Sequence, residues 1–409
     1  MAAAARPATD GDAVLGVRPE RVYEPATVEE ALEVLRESAR GGKKLVFVGG
    51  GTDLDLGAPP EQLDAVLRTT SLRRIVEYEP TDQVVVAEAG MTLAALQQTL
   101  APKGQRLALD PPLPARATLG GIVAANAFGP RRARFGSVRD LILGVSIARA
   151  DGTLAHGGSK VVKNVAGFDL PKLLVGSLGT LGLMTTVTLR LHPLPEESAT
   201  LLLRKQTARR LRELVAAMRQ AQLEPTSVVA IWRGASSFDV AIRFEGFRTG
   251  VSEQITRLWE LPGIGNAAET LPASAAATFW ENHDALRTAP PFRAKLTALP
   301  ASIESVAGEV AAPLLAALEN PALLWYATLG IGFVSGIPRT AGEVAAAVTA
   351  ARSRLPPAGS LVFQAAPATV RKLAAVWGNP PRALELMRRV KERFDPERRL
   401  SPGRFVGGI

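Results

Sequence analysis

Three runs of glycine and other small residues, far apart in the chain, constrain it most. They are Gly49-Gly50-Gly51-Thr52, Thr118-Leu119-Gly120-Gly121-Ile122-Val123-Ala124-Ala125-Asn126 and Gly176-Ser177-Leu178-Gly179-Thr180-Leu181-Gly182. Without a Cβ, a glycine lets its backbone amide approach a ligand closely. The first run follows Lys44-Leu45-Val46-Phe47-Val48, which reads as a short buried strand. Successive free amides at such a strand exit form a concavity for anions, and Thr52 adds a hydroxyl. No Gly-Lys-Ser/Thr follows at P-loop spacing, so this is not a Walker loop. Three such loops suggest one long ligand held at several points, and a dinucleotide such as FAD has that length and a pyrophosphate. A tight strand-exit turn with no ligand is the plain alternative for the first run alone.

The segments around these runs read as an α+β chain. Thr27-Val28-Glu29-Glu30 has the pattern of a helix start, with Val28, Ala31, Leu32 and Leu35 on one face and Gly41-Gly42 as the stop. Strands are expected over Arg74 to Glu79 and Val84 to Ala89, and Thr92 caps a second helix. Asp110-Pro111-Pro112-Leu113-Pro114 is extended because prolines fix φ and restrict the preceding residue. Further strands are expected over Leu141 to Ala150 and Leu183 to Leu191. His192-Pro193-Leu194-Pro195 then reads as an exit from the first domain. In the second half the pattern predicts strands at 199–203, 227–232, 238–244, 323–329 and 360–364. Helices are expected at 208–220, 252–261, 275–286, 303–318, 341–354 and 381–394.

Composition narrows the chemistry. The chain has 409 residues, enough for about two domains. It has no cysteine, which excludes disulfides, thiolate zinc sites and conventional iron–sulfur clusters held by this chain. With three histidines (His156, His192 and His283) a histidine-rich metal site is not expected, and the metal expectation is none. Redox chemistry here therefore calls for a bound organic cofactor. The net charge of +9 suits an acidic partner or an anionic ligand. Aromatics make up 5% and do not interleave with the arginines, which argues against a nucleic-acid stacking platform. No apolar run reaches the roughly 18 residues needed to span a bilayer. Residues 1–19 read as a disordered tail without signal-peptide character, in a cytoplasmic protein.

Other features carry less. Gly263-Ile264-Gly265-Asn266-Ala267-Ala268 and Gly330-Ile331-Gly332 imitate a dinucleotide fingerprint but lack its strand-to-helix setting. His156 reads as a surface residue on a turn, and His283 as a partly exposed helical one. Lys160 and Lys163, with Asn164, precede the third glycine run and either neutralise an anion or solvate a turn. Arg388, Arg389, Lys391 and Arg393 follow helical spacing, as a solvated face does.

Five ordered segments resemble the FAD-binding fold of the vanillyl-alcohol oxidase / p-cresol methylhydroxylase (PCMH) superfamily. They are the Gly49 loop, Ala117-Thr118-Leu119-Gly120-Gly121, Arg134-Phe135-Gly136-Ser137-Val138-Arg139-Asp140, Lys163-Asn164-Val165-Ala166-Gly167-Phe168-Asp169-Leu170, and the Gly176 loop. Ser401-Pro402-Gly403-Arg404 looks like the family's Asn-Pro-Gly ending. Within the superfamily the chain is most similar to the FAD-binding E-subunit family of bacterial glycolate oxidase complexes.

The resemblance implies an α+β protein. A two-lobed PCMH-type FAD-binding domain would span 20–195, and an α+β FAD-linked-oxidase C-terminal domain, on the substrate or partner side, would span 196–409. It implies noncovalent FAD between the lobes, held by Gly49, Gly50, Gly51, Thr52 and Asp53 at the pyrophosphate. Pro112, Thr118, Gly120, Gly121 and Asn126 would form a second wall. Gly176, Ser177, Gly179, Thr180 and Gly182 would form the closing loop. The partners it implies are a catalytic flavoprotein subunit and an iron–sulfur subunit, the substrate of the complex a small 2-hydroxy acid, and peripheral membrane association is compatible with it. The family's metal-using dehydrogenases carry a His-His pair in the second domain, whereas this one has only His283. Arg287, Arg293 and Lys295 are the candidates for holding a carboxylate. Two other readings stand beside this one: a self-sufficient FAD-dependent 2-hydroxy-acid dehydrogenase, and a non-enzymatic basic scaffold or nucleic-acid-binding protein on a decayed flavin fold.

Overall fold

The computed structural model describes residues 4–160, 169–232 and 237–409. The chain forms two compact units. One comprises Met1–Gly129, Gly136–Leu194 and Asn379–Ile409, the other Pro130–Phe135 and Pro195–Gly378. Division at residue 195 alone therefore misplaces two segments, a short basic loop and the C-terminal stretch.

The first unit has two main sheets and a two-stranded pair, Gln105–Arg106 with His192–Pro193. The smaller runs in the order Ala5–Pro7, Arg21–Tyr23, Ala65–Arg68 and Leu45–Val48. Its last three strands are parallel, and Ala65–Arg68 and Leu45–Val48 are mostly buried. The helix Val28–Arg40 packs here through Ala31, Leu32, Val34 and Leu35. Its cap is as expected on one side: the Thr27 hydroxyl accepts from the Glu30 amide. The Glu30 carboxylate, however, accepts from Ala26 N at 2.8 Å rather than from Thr27.

The expected disordered tail is a correction. Ala5–Pro7 pairs antiparallel with Arg21–Tyr23. Asp12 lies buried, gripped by Arg6 at 2.8 Å and Arg68 at 2.7 Å. Those arginine hydrogen bonds hold its carboxyl far below the usual range. A run that is weakly patterned alone is ordered by a long-range ion-pair cluster.

The larger sheet of this unit is antiparallel, in the order Ile75–Glu79, Val84–Glu88, Leu183–Arg190, Ile142–Ala148 and Leu154–Gly158. Its core includes Val85, Ala87, Ile147 and Val187, covered by the helices Leu93–Leu100 and Leu119–Ala125. The second of these helices was read only as a small-residue run. Glycines weaken a helix by about 1 kcal/mol each, so the pattern concealed it. Tertiary packing and the Thr118 cap override that cost.

The second unit is one antiparallel sheet of eight strands. The order is Ala268–Thr270, Glu197–Gln206, Phe238–Gly246, Ser227–Trp232, Leu318–Tyr326, Ile331–Pro338, Phe292–Thr297 and Ser360–Ala365. Alternation puts Leu201, Val240, Ile242, Trp325 and Phe363 on one face, in the main core. The helices Ala208–Gln220 and Ala341–Arg354 pack there. Two inner strands, Phe292–Thr297 and Ile331–Pro338, escaped the sequence pattern. Gly330, at φ +65°, closes the hairpin before the second of them, and a Cβ there would meet Ala298 O at 2.0 Å. Gly265 opens a short 3-10 turn that leads into the edge strand Ala268–Thr270. Both imitation fingerprints are thus turns.

Candidate functional site

The three runs converge in the first unit. A Cβ on Gly49 would meet Thr118 Oγ1 at 2.1 Å, and one on Gly50 would meet Arg116 O at 1.7 Å. The Gly120 amide donates to Ala89 O at 2.7 Å. The third run docks on the far end of the same short helix: Gly176 N donates to Val123 O and Leu178 N to Ala124 O, both at 2.9 Å. Gly179, left-handed at φ +72°, lies against Phe47. Leu178 also sits in the left-handed region, at φ 52°, where a branched side chain is strained. Such strain concentrates at functional sites.

A cleft of about 780 Å³, open mouth included, lies among these loops. Of the expected cofactor residues, Gly49, Gly50, Gly51, Thr52, Asp53, Thr118, Gly120, Gly121, Gly179 and Gly182 line it. The lining is mostly main chain and small apolar side chains, with Thr52, Thr69 and Thr118 supplying hydroxyls. No side chain rises from Gly51, and a Cβ there would have nothing within 4 Å.

Five expected residues stand back from the cleft wall. Asn126, at φ 50°, is the left-handed cap of the helix Leu119–Ala125. Gly176 links the third run to that helix. The Thr180 hydroxyl turns inward and donates to Ser177 O at 2.7 Å, so both residues build the loop's own turn. Pro112 is half-buried ahead of the turn at Leu113. These five shape the walls; they are not on the lining surface. Lys163 and Asn164 lie outside the described residues, and Lys160 pairs with Glu77.

Sequence reasoning missed the C-terminal contribution. Arg404 lines the cleft beside the Gly49 loop. Its Nη2 donates to Leu54 O at 2.9 Å and to Leu56 O at 2.8 Å. Ser401 Oγ, fully buried beside Gly179, has no hydrogen-bond partner among the described residues. The Asn-Pro-Gly-like ending was the only sequence signal for this.

The second unit carries a contrasting polar cluster on the sheet face opposite its main core. His283 lies on the helix Ala273–Thr288 and is 1% exposed, which corrects the expectation of a partly exposed position. Its Nδ1 donates to Asp284 Oδ1 at 2.8 Å, since a carboxylate only accepts. The neutral ring then accepts at Nε2 from the Tyr326 hydroxyl at 2.9 Å. That oxygen in turn accepts from Arg287 Nη1 at 3.2 Å. Burial pushes the His283 pKa down, and Arg287 adds to this against the pull of Asp284. Arg243 lies over the Trp280 ring at 4.0 Å and donates to Ser227. Trp280 Nε1 donates to Thr200.

Of the carboxylate candidates, Arg287 belongs to this cluster. Arg287 is held by Tyr326 and lies 4.3 Å from the Phe333 ring. Arg293 donates to Thr288 O and Pro290 O, closing the end of that helix. Lys295 pairs across the sheet with Phe333 and Val362. His156 is exposed on a strand, not a turn, and bonds Ser146 Oγ at 2.8 Å. Among the described residues no group of three or more metal-ligating side chains is arranged to hold an ion. Among them too, no helix is long and apolar enough to cross a membrane.

Comparison with known proteins agrees with the geometry. Residues 19–158 match the family described as FAD binding domain. Glycolate oxidase subunit GlcE of Escherichia coli is 37% identical over 218 residues, 53% of this chain and 59% of that protein. D-lactate dehydrogenase of Archaeoglobus fulgidus is 35% identical over 174 residues, 42% of this chain and 38% of the relative. The chain thus spans 59% and 38% of the length of these relatives, less than two thirds of either. A solved structure of alkyldihydroxyacetonephosphate synthase superposes with a TM-score of 0.72 at 16% identity, covering 94% of this chain and 76% of that one. The fold is the PCMH-type fold of FAD-linked oxidases, as the motifs implied. Residues 19–158 are an FAD-binding domain, and the cofactor of this chain is FAD.

Proposed function

We propose that the chain is the FAD-binding subunit of a complex that oxidises glycolate or another small 2-hydroxy acid. In this reading Gly49 to Asp53 hold the pyrophosphate, while Thr118, Gly120, Gly121, Gly179 and Gly182 surround the rest of the cofactor. Bound noncovalently, FAD supplies two-electron acceptance and onward transfer. The chain's own task is to grip it through backbone amides and exclude water with Phe47, Leu178 and Met184.

One observation carries the subunit reading. The polar face of the second unit is engaged with itself: Arg287, Arg293 and His283 bond to groups of their own unit. A general base near a substrate needs hydrogen-bond reach to it, and His283 is sealed between helix and sheet. The oxidation step is then assigned to a catalytic flavoprotein partner, and an iron–sulfur partner takes the electrons. The likeness to GlcE supports the same reading. A net charge of +9 suits docking on acidic partner faces in the cytoplasm, with the membrane reached peripherally. Reversing exposed charges such as Arg388 and Arg389 tests the docking, since unchanged assembly removes that part.

The likeness to a D-lactate dehydrogenase favours the second reading, a self-sufficient dehydrogenase. Anaerobic mixing of the purified flavoprotein with glycolate or D-lactate separates the two. No bleaching of the flavin band without partners is the expected result. Prompt bleaching overturns the subunit reading.

A further inference from the structure

The cleft has an electrostatic peculiarity. Among its described lining residues the ionisable side chains are Asp53 and Arg404. The glycine loop brings in an acid, and the opposing charge comes from the far end of the chain. A pyrophosphate carries negative charge in a partly enclosed site, where an uncompensated anion is costly. Backbone amides offset part of that cost, and a neighbouring cationic side chain offsets more through its charge.

The segment that delivers Arg404 is firmly fixed. Leu45 N donates to Arg399 O at 2.8 Å and Ser401 N to Leu45 O at 2.7 Å, so the strand that feeds the Gly49 loop is bordered by this segment. Ala58 N donates to Arg404 O and Glu61 N to Pro402 O, both at 3.0 Å. Behind it lies a buried pair. Lys391 Nζ reaches Asp395 Oδ2 at 2.7 Å, Thr180 O at 2.8 Å and Leu400 O at 2.8 Å. Asp395 accepts in turn from the amides of Arg399 and Leu400. One ammonium thus joins the third glycine run to the C-terminal segment.

We propose that Arg404 is a cofactor-site residue that supplies the positive charge for the FAD pyrophosphate, and that Lys391 is the positioning residue holding its segment to the glycine loop. The proposal rests on the flavoprotein reading. It adds a binding residue that the 19–158 domain does not contain.

The test titrates FAD into apoprotein of the full chain, following quenching of flavin fluorescence, alongside the thermal midpoint of the apoprotein. Arg404→Gln is expected to raise the FAD Kd roughly 10- to 100-fold, the size of one charge-assisted contact. Arg404→Lys, which keeps the charge, is expected to stay within about threefold of wild type. Wild-type affinity in Arg404→Gln overturns the proposal. So does an equal loss in both variants together with a lower apoprotein midpoint, because that marks a role only in tethering Leu54 and Leu56. Should Arg404→Gln fail to fold, Arg404→Lys decides alone: affinity near wild type supports the charge, and a loss above about tenfold overturns it. A wild-type chain that takes up no FAD overturns the flavoprotein reading and this inference together. Uptake by wild type with no change in Arg404→Gln overturns this inference only.

Discussion

The cleft of the first unit and the polar face of the second are built on opposite rules. The cleft is lined by main chain, and where a side chain would stand there is often none, as at Gly51. The polar face is crowded with side chains that answer one another: Arg287 to Tyr326, Tyr326 to His283, His283 to Asp284, Trp280 to Thr200. A surface with free amides and missing side chains is complete only when a ligand fills it. A surface whose side chains have found partners is already complete. Side chains of reactive type therefore mark a site less reliably than a gap does.

Breaking the cleft wall has the largest expected effect. Lys391→Met leaves Asp395 buried without its cation, and losing one partner of such a pair costs about 3–5 kcal/mol. A lower urea midpoint together with weaker FAD uptake checks this. A variant as stable as wild type would detach the C-terminal segment from the cleft.

Filling the cleft frame comes next. Gly50→Ala puts a Cβ into Arg116 O, which backbone atoms relieve only by shifting. Overpacking of this kind costs about 1–3 kcal/mol, and the purified protein should lose its flavin absorbance. Retained absorbance would show that the Gly49 loop need not sit so close to the chain at Arg116.

The contrasting change lies in the second unit. His283→Leu removes the acceptor of the Tyr326 O–H and costs about 1–3 kcal/mol, while the FAD Kd of the chain stays at the wild-type value. A shift in Kd would mean that the two regions are not independent.

Acid sharpens the same point. Burial holds the folded pKa of His283 below its ordinary 6.5. The unfolded chain therefore binds a proton that the folded one excludes. This contribution to stability is complete above about pH 6.5. It falls away as the pH drops through that value towards the folded pKa, by at most about 1.4 kcal/mol per pH unit for one proton. Unfolding midpoints measured from pH 7.5 to 5 should decline less steeply in His283→Leu than in wild type. The smallest effect is expected at the exposed face of the C-terminal helix, where Arg388→Ala should change stability by less than about 0.5 kcal/mol.

Much of the fold was legible because its signals are local. The helix Ala208–Gln220 and the strand Ser227–Trp232 have the bounds that hydrophobic periodicity and turn residues suggested. The glycine runs announced the cleft because a missing Cβ is visible in the sequence. The strand Phe292–Thr297 was missed although Phe292, Ala294 and Leu296 alternate cleanly with Arg293, Lys295 and Thr297, whereas in Ile331–Pro338 two glycines and a serine blurred the alternation.

By itself, then, the sequence determined many of the helices and strands, the glycine-rich loops and the cofactor class, since each depends on residues close together in the chain. Only the tertiary structure decided that the N-terminal stretch is ordered by Asp12, that His283 is sealed, and that Arg404 stands at the cleft. Each of these depends on groups brought together from distant positions. Burial and ion pairing act through space, and a linear pattern carries no measure of that distance.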